Sequence, residues 1–359
     1  MTYKRVLIIR FGGLGDILLA TPSIRALALA LPGVEIDVVV GGGMGATLSG
    51  NPYVRNVWVF DKRGPDSRID RFIPFLLHLA RQRYDLVVNL HPSVKSFLMT
   101  LASWPRRRLV FKKNLGMDPL TGKQVHAVDD FMRVLAPLYL NLDASRQLDL
   151  AIPVSAHDSL QDLLERKGVA LSARLVVINP AASQPVNRWD LGRFGEVAAH
   201  FADIPGIKVV VTGASRSFKT ETDGQNEQAM AATVASAHSA IVDLSGQLSV
   251  LELAALLARC DTFLTCDTGP MHIASAVNAP IVALFGAADP DRTGPTDPES
   301  IVLQSLGLEC SPCRSRVCGR GDRKCMTDLT VAAVIEAIES KITARRYGGH
   351  GVTLPIAAR

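Results

Sequence analysis

The run Val6-Leu-Ile-Ile9, followed by Arg10-Phe-Gly-Gly-Leu-Gly-Asp16 and then by Ile17–Leu31 in helical period, decides the fold. A short β-branched run stopped by glycines and continued by a helix is the opening of a parallel βαβ unit. Pro32-Gly33 ends the predicted helix. Ile36–Val40 is the next strand, closed by Gly41-Gly42-Gly43. Val57–Phe60, Leu86–Leu90 and Leu109–Phe111 read as further short strands. Strands alternating with helices imply a parallel sheet covered on both faces.

The pattern then restarts. Leu175–Asn179, Lys208–Thr212, Thr262–Cys266 and Ile281–Phe285 read as strands, with helices over Leu191–Phe201, Leu251–Ala258, Met271–Ala276 and Val331–Ile342. A polar helix, Ser159–Lys167, intervenes near the break at Pro153–Ser172. The reading is therefore α/β with two Rossmann-like parallel-sheet domains, 1–155 and 156–346, facing across a cleft. A tail, 347–359, reads as mobile. The length of 359 residues suits two domains at roughly 150 residues each. Ligands of such sheets sit beyond the carboxyl ends of the strands.

Composition narrows the classes. With 48% hydrophobic and 20% charged residues the chain can bury a core. No apolar run approaches the ~18 residues of a membrane span. Lys4 and Arg5 precede only four apolar residues, too few for a signal peptide. A cytoplasmic location is expected, with peripheral contact at a membrane left open. The net charge of +5 hides an asymmetry: residues 1–113 hold 17 basic and 7 acidic groups, and residues 114–359 hold 22 and 27. An anionic partner for the first part fits this; so does the composition itself, with 28 Arg to 11 Lys.

The first glycine loop is not a dinucleotide site. Gly13-x-Gly15 is followed by Leu18 where the third glycine belongs, and Asp37 begins the second strand instead of ending it. No Gly-Lys-Ser/Thr marks a P-loop. What remains is Asp16 in a loop with Gly12, Gly13 and Gly15. It can cap the helix or act as a general base on a substrate hydroxyl, and one oxygen for each task allows both.

In the second half, Asp267-Thr-Gly-Pro270 follows a strand and opens a helix bearing His272. Proline suits the first helical turn, glycine allows close backbone approach, and the free N–H groups favour a phosphate. Thr268 can add a hydroxyl to such an anion site, and His272, one turn into the helix, either joins it or is a core residue. A second loop, Asn179 to Trp189, offers Ser183 and Arg188, the latter suited to a diphosphate; Trp189 reads as packing. Glu227 follows a strand end and a polar insertion, where it could bind a ribose or be a solvated helix end. Cys310-x2-Cys313-x4-Cys318-x6-Cys325 suggests a tetrathiolate site for zinc or iron, against free thiols or a disulfide. The arginines of this loop lack the aromatic neighbours that nucleic acid would need, and no nucleic-acid partner is expected.

These residues resemble the ADP-heptose–lipopolysaccharide heptosyltransferases, glycosyltransferase family 9, over roughly residues 4–342. The anchors are Arg10-Phe-Gly-Gly-Leu-Gly-Asp16-Ile-Leu-Leu-Ala-Thr-Pro22 and Asp267-Thr-Gly-Pro-Met-His272, supported by Leu244-Ser-Gly246, Leu284-Phe-Gly286 and Cys310-Ser-Pro-Cys313. The resemblance implies the GT-B fold and inverting transfer of heptose from ADP-heptose to a phosphorylated, lipid A–Kdo type acceptor. It assigns Asp16 as base, and Asp267, Thr268, Gly269 and His272 to the donor diphosphate. Asn187 stands where the family usually has Lys, which leaves Arg188 to supply charge. Glu227, with Glu221 as alternative, takes the ribose role. Lys62, Arg63, Arg107 and His126 are candidates for the anionic, lipid-linked acceptor, in a protein placed at the inner membrane face. No cofactor is implied for catalysis, so a metal at the cysteines would be structural. Alternatives within the family are another nucleotide sugar or a protein acceptor; outside it, a non-catalytic sugar- or metal-binding regulator.

Overall fold

The structure, a computed structural model, describes residues 3–62, 64–112, 118, 122, 124–182, 184–214, 221–222 and 225–346; the tail 347–359, and with it the expectation of mobility, lies outside them. The chain divides into two compact units, Met1–Ala151 and Ile152–Arg359.

In the first unit, β1 (Arg5–Arg10), α1 (Leu14–Leu18), α2 (Thr21–Ala30), β2 (Glu35–Val40), β3 (Asn56–Val59), α3 (Ile69–Arg81), β4 (Leu86–Asn89), α4 (Val94–Ala102), β5 (Arg107–Val110) and α5 (Ala127–Arg133) follow in order. The five strands are parallel, ordered β3-β2-β1-β4-β5. Val6–Ile9 and Val38–Val40 are buried, as continuous β-branched runs covered on both faces must be. The predicted single helix Ile17–Leu31 is two helices. Pro22 lacks the N–H that a continuing turn needs, and Thr21 Oγ1 donates to Leu18 O at 2.7 Å at the break.

Two polar clusters hold this unit. Asp37 on β2 is fully buried, and Arg55 Nε and Nη2 (2.9 and 2.7 Å), Tyr84 Oη (2.7 Å) and Asn56 Nδ2 (3.1 Å) donate to it. These donors hold its carboxyl below the usual carboxylate range although burial opposes them. Arg25 of α2 donates to both Asp149 oxygens at 2.6 Å and to Gln147 O at 2.9 Å. It thereby secures the irregular segment that leads to the unit boundary.

The second unit runs α6 (Val154–Arg166), β6 (Arg174–Asn179), α7 (Leu191–Ala202), β7 (Ile207–Val211), β8 (Glu221–Thr222), β9 (Gln225–Asn226), α8 (Glu227–Ala235), β10 (Val242–Asp243), α9 (Val250–Arg259), β11 (Thr262–Cys266), α10 (Gly269–Ala276), β12 (Ile281–Phe285), α11 (Pro290–Thr293), β13 (Ile301–Gln304), α12 (Lys324–Thr327) and α13 (Val331–Arg346). Its parallel sheet is ordered β10-β7-β6-β11-β12-β13. Phe194, Phe201, Phe263 and Phe285 are its largest fully buried side chains. The edge strands β10 and β13 were not expected from the sequence, because each is too short to show a period of its own.

In both sheets the strand order reverses beside the first strand: between β1 and β4, and between β6 and β11. This is the point at which open parallel sheets bind ligands.

Candidate functional site

At the switch point of the first unit, buried Arg10 organises the loop. Its Nε donates to Asp16 O at 3.0 Å, its Nη2 to Asp16 Oδ1 at 2.5 Å, and its Nη1 to Leu90 O, beyond β4, at 2.8 Å. The guanidinium lies 4.5 Å from the centre of the Phe131 ring, a favourable cation–π placement. The Gly13 N–H donates to Asp16 Oδ2 at 3.0 Å, at the start of α1. Asp16 therefore caps with one oxygen and pairs with the other, and 48% of its side chain stays exposed. Gly12 makes this fit: its φ is +139°, and a Cβ there would lie 2.3 Å from Asp16 Oδ2. Gly15 lies within α1.

His91, which the sequence reading did not single out, joins this cluster from the end of β4. Lys62 Nζ lies 3.0 Å from His91 Nε2. An ammonium has only donors, so Nε2 is the acceptor. Burial, then the charges of Lys62 and Arg10, push the imidazole pKa down to about 4. His91 is neutral at pH 7. The signal was available in its position, directly after a predicted strand. Lys62 is thus brought to the site. Arg107 is not: it starts β5, opposite Leu86, and donates to Pro137 O at the other end of the sheet from Asp16. His126 is buried and caps α5, its Nδ1 accepting from the Val128 N–H at 3.3 Å. Arg63 and Ser183 lie outside the described residues.

At the switch point of the second unit, α10 begins at Gly269 with Thr268 at its N-cap and Pro270 in the first turn. His272 is buried one turn in. Asp267 precedes the helix, accepting from Thr293 Oγ1 at 3.4 Å and, at a long 3.5 Å, from Asn187 Nδ2. Burial, only partly offset by the Thr293 hydroxyl, pushes its carboxyl up to about 6. Asn187 Oδ1 accepts from the Ala288 N–H at 3.1 Å. The amide at this position thus links Asp267 to the loop after β12 without supplying a charge. Arg188 follows, half-buried. Trp189 donates from Nε1 to Leu329 O at 3.0 Å and packs edge-on against Phe194, a core residue as expected. Glu227 is the first residue of α8. Its carbonyl would lie 3.0 Å from a Cβ on Gly213, so it stands at the carboxyl end of β7. Glu221 lies in β8.

Cys310, Cys313, Cys318 and Cys325 line one pocket, together with Val186 and Ala287 from the loops just described. All four are free thiols, and the other three lie close enough to interact electrostatically with Cys325. Backbone N–H groups of Arg320, Gly321 and Arg323 are directed at the Cys318 sulfur. Among the described residues no group of three or more Cys, His, Asp or Glu side chains is placed so that it could hold a metal ion. The loop is fastened to the donor side: Arg323 Nη1 donates to Pro185 O (3.1 Å) and Arg188 O (3.3 Å), and Ser311 Oγ to Gly286 O (2.9 Å).

Two doubly wound units, one with an acid on a glycine loop and the other with an anion-favouring helix start, define the GT-B class. The family model for glycosyltransferase family 9 (heptosyltransferase) matches residues 75–322. The chain is 30% identical over 290 residues to lipopolysaccharide heptosyltransferase 3 of Escherichia coli, covering 77% of this chain and 81% of that protein. It superposes on a family 9 glycosyl transferase from Veillonella parvula with a TM-score of 0.80, at 24% identity over 96% of this chain and 98% of the other. E. coli heptosyltransferase WaaC, solved with ADP, gives a TM-score of 0.70 at 21% identity over 94% and 99%. The chain belongs to glycosyltransferase family 9, and it is a transferase of the heptosyltransferase kind.

Proposed function

We propose that this protein transfers heptose from ADP-heptose to a phosphorylated lipopolysaccharide-core acceptor with inversion, using Asp16 as base. The observation that carries the reading is the Asp16 carboxylate, fixed by Arg10 and the Gly13 N–H yet half-exposed at the switch point of the first unit. Asp16 takes the proton of the acceptor hydroxyl as that oxygen attacks the anomeric carbon and the nucleoside diphosphate departs. Lys62 and Arg10 supply positive charge beside it for an anionic acceptor. The leaving diphosphate is received by the N–H groups at the start of α10 and by Thr268, His272 and Arg188, with Glu227 on the ribose. Fixed dipoles of this kind stabilise the developing charge. An ADP-bound relative of the same fold supports the choice of nucleotide.

The test is transfer with ADP-, GDP- and UDP-sugars and a delipidated core acceptor. ADP-heptose should be the best donor, and Asp16→Asn should lose about 10²–10⁴-fold in kcat with little change in donor Kd. Equal turnover of the two proteins would refute the assignment of the base.

The four cysteines are proposed to hold one structural zinc or iron ion. The donor set fits a tetrathiolate site, and N–H groups aimed at a sulfur suit a thiolate ligand. A metal held by Cys310, Cys313, Cys318 and Cys325 would cross-link the loop whose Arg323 donates to the Arg188 backbone. Elemental analysis of the full chain should find about one metal per chain. Cys313→Ser should lose it and lower the Tm; a metal-free wild type of unchanged Tm after chelation would refute the site.

A further inference from the structure

Eight of the seventeen exposed large hydrophobic residues among those described fall within residues 69–104. On α3, Ile69, Ile73 and Leu77 repeat every fourth residue and are 75%, 51% and 54% exposed. The core is served by other residues of the same helix: Leu79 is buried, and Phe72, Phe75 and Leu76 pack against it. On α4, Val94, Phe97 and Leu101 make a second outward stripe, and Trp104 just beyond is 88% exposed. The helices pack against each other in one unit. Both therefore turn to solvent an apolar stripe that the fold does not need.

The charges around these stripes are mostly of one sign. Residues 68–112 contain nine basic and two acidic groups. Arg71, Arg81, Arg83, Arg106 and Arg108 are exposed at or near the helix ends. Arg68 pairs with Asp70, and Arg106 lies 3.7 Å from Asp85. Apolar helix faces with a basic border and an exposed Trp are suited to lying in a membrane interface. A second copy of the chain suits the surface less well, because a self-complementary contact would set these arginines against one another. No helix among the described residues is long and apolar enough to cross a membrane.

We propose that the solvent face of α3, α4 and Trp104 docks the protein on an anionic phospholipid bilayer. The inference goes beyond the transfer reading and does not depend on it, since binding is measured without donor or acceptor. The full chain is sedimented with vesicles of phosphatidylethanolamine and phosphatidylglycerol, and with vesicles of phosphatidylcholine alone. The bound fraction should be at least fivefold higher on the anionic vesicles and should fall as NaCl rises from 150 to 500 mM. Trp104 is the internal probe: its emission should shift to the blue on binding, and Trp104→Phe should abolish the shift. The double variant Phe97→Ser, Leu101→Ser should lose vesicle binding while keeping its circular dichroism and its turnover of a delipidated acceptor. Vesicle binding that is absent, or equal on both lipids and unchanged in the double variant, would overturn the proposal. So would a solution dimer that the double variant converts to monomer, which would give the face to a second copy.

Discussion

Burial acts in opposite senses on His91 and Asp267. It lowers the imidazole to about 4 and raises the carboxyl to about 6, because both environments disfavour charge. The contribution of His91 to stability is present above its free value of 6.5 and is lost as pH falls through about 4. That of Asp267 is complete below its free value of 3.8 and is lost as pH rises through about 6. A diphosphate bound beside Asp267 would favour the protonated form further. Donor affinity should therefore fall above pH 6, by up to about tenfold per pH unit when one proton is taken up. Calorimetric titration with ADP-heptose from pH 5.5 to 8 tests this, and Asp267→Asn should flatten the profile. A flat wild-type profile would contradict the coupling. Asp16 and Asp267 were legible in the sequence because glycine and proline beside an acid at a strand end restrict what the loop can do. His91 offered only its position directly after a predicted strand: its neighbours Leu90 and Pro92 carry no such mark, and its partner Lys62 is remote in sequence.

At the scale of elements, long-range polar pairs decide which strands and loops stay together. Asp37 is satisfied by Arg55, just before β3, by Asn56 at the start of β3 and by Tyr84 in the turn before β4, and Arg55 provides two of the donors. Arg55→Ala leaves the carboxylate buried and under-satisfied, and should cost about 3–5 kcal/mol of stability, read from urea unfolding of the full chain. A loss below about 1 kcal/mol would mean that the cluster is not a support of the fold. The sequence presents Asp37 only as a polar interruption in an apolar strand. Its burial follows from Arg55, eighteen residues away. The break between α1 and α2 has a local cause in Pro22, and the continuous apolar period across it hid that cause. The two-residue β10 and four-residue β13 are strands because neighbouring edges offer them hydrogen bonds, and no local period can report that.

For the whole molecule, the uneven charge gains a physical setting. The basic excess of residues 1–113 belongs to the unit that holds Asp16, Lys62 and the apolar stripes of α3 and α4. The second unit has a slight acidic excess and meets anions with a helix start and a few local groups. Binding of a phosphorylated acceptor should weaken strongly between 50 and 500 mM NaCl, and donor binding only weakly. Parallel Kd measurements check this, and similar slopes for the two ligands would return the asymmetry to composition.

The sequence by itself determined the two parallel α/β units, the loops that bear function and the acids at their mouths. Backbone sterics, hydrogen-bond period and glycine chemistry are local, and a single chain displays them. Only the tertiary structure decided that Arg10 ties Asp16 to Leu90, that His91 is neutral, that Arg107 lies at the wrong end of its sheet and that four cysteines line one pocket. It also decided which apolar stripes of α3 and α4 are left uncovered. Periodicity shows that a helix has an apolar face, but burial of that face depends on the elements that reach it.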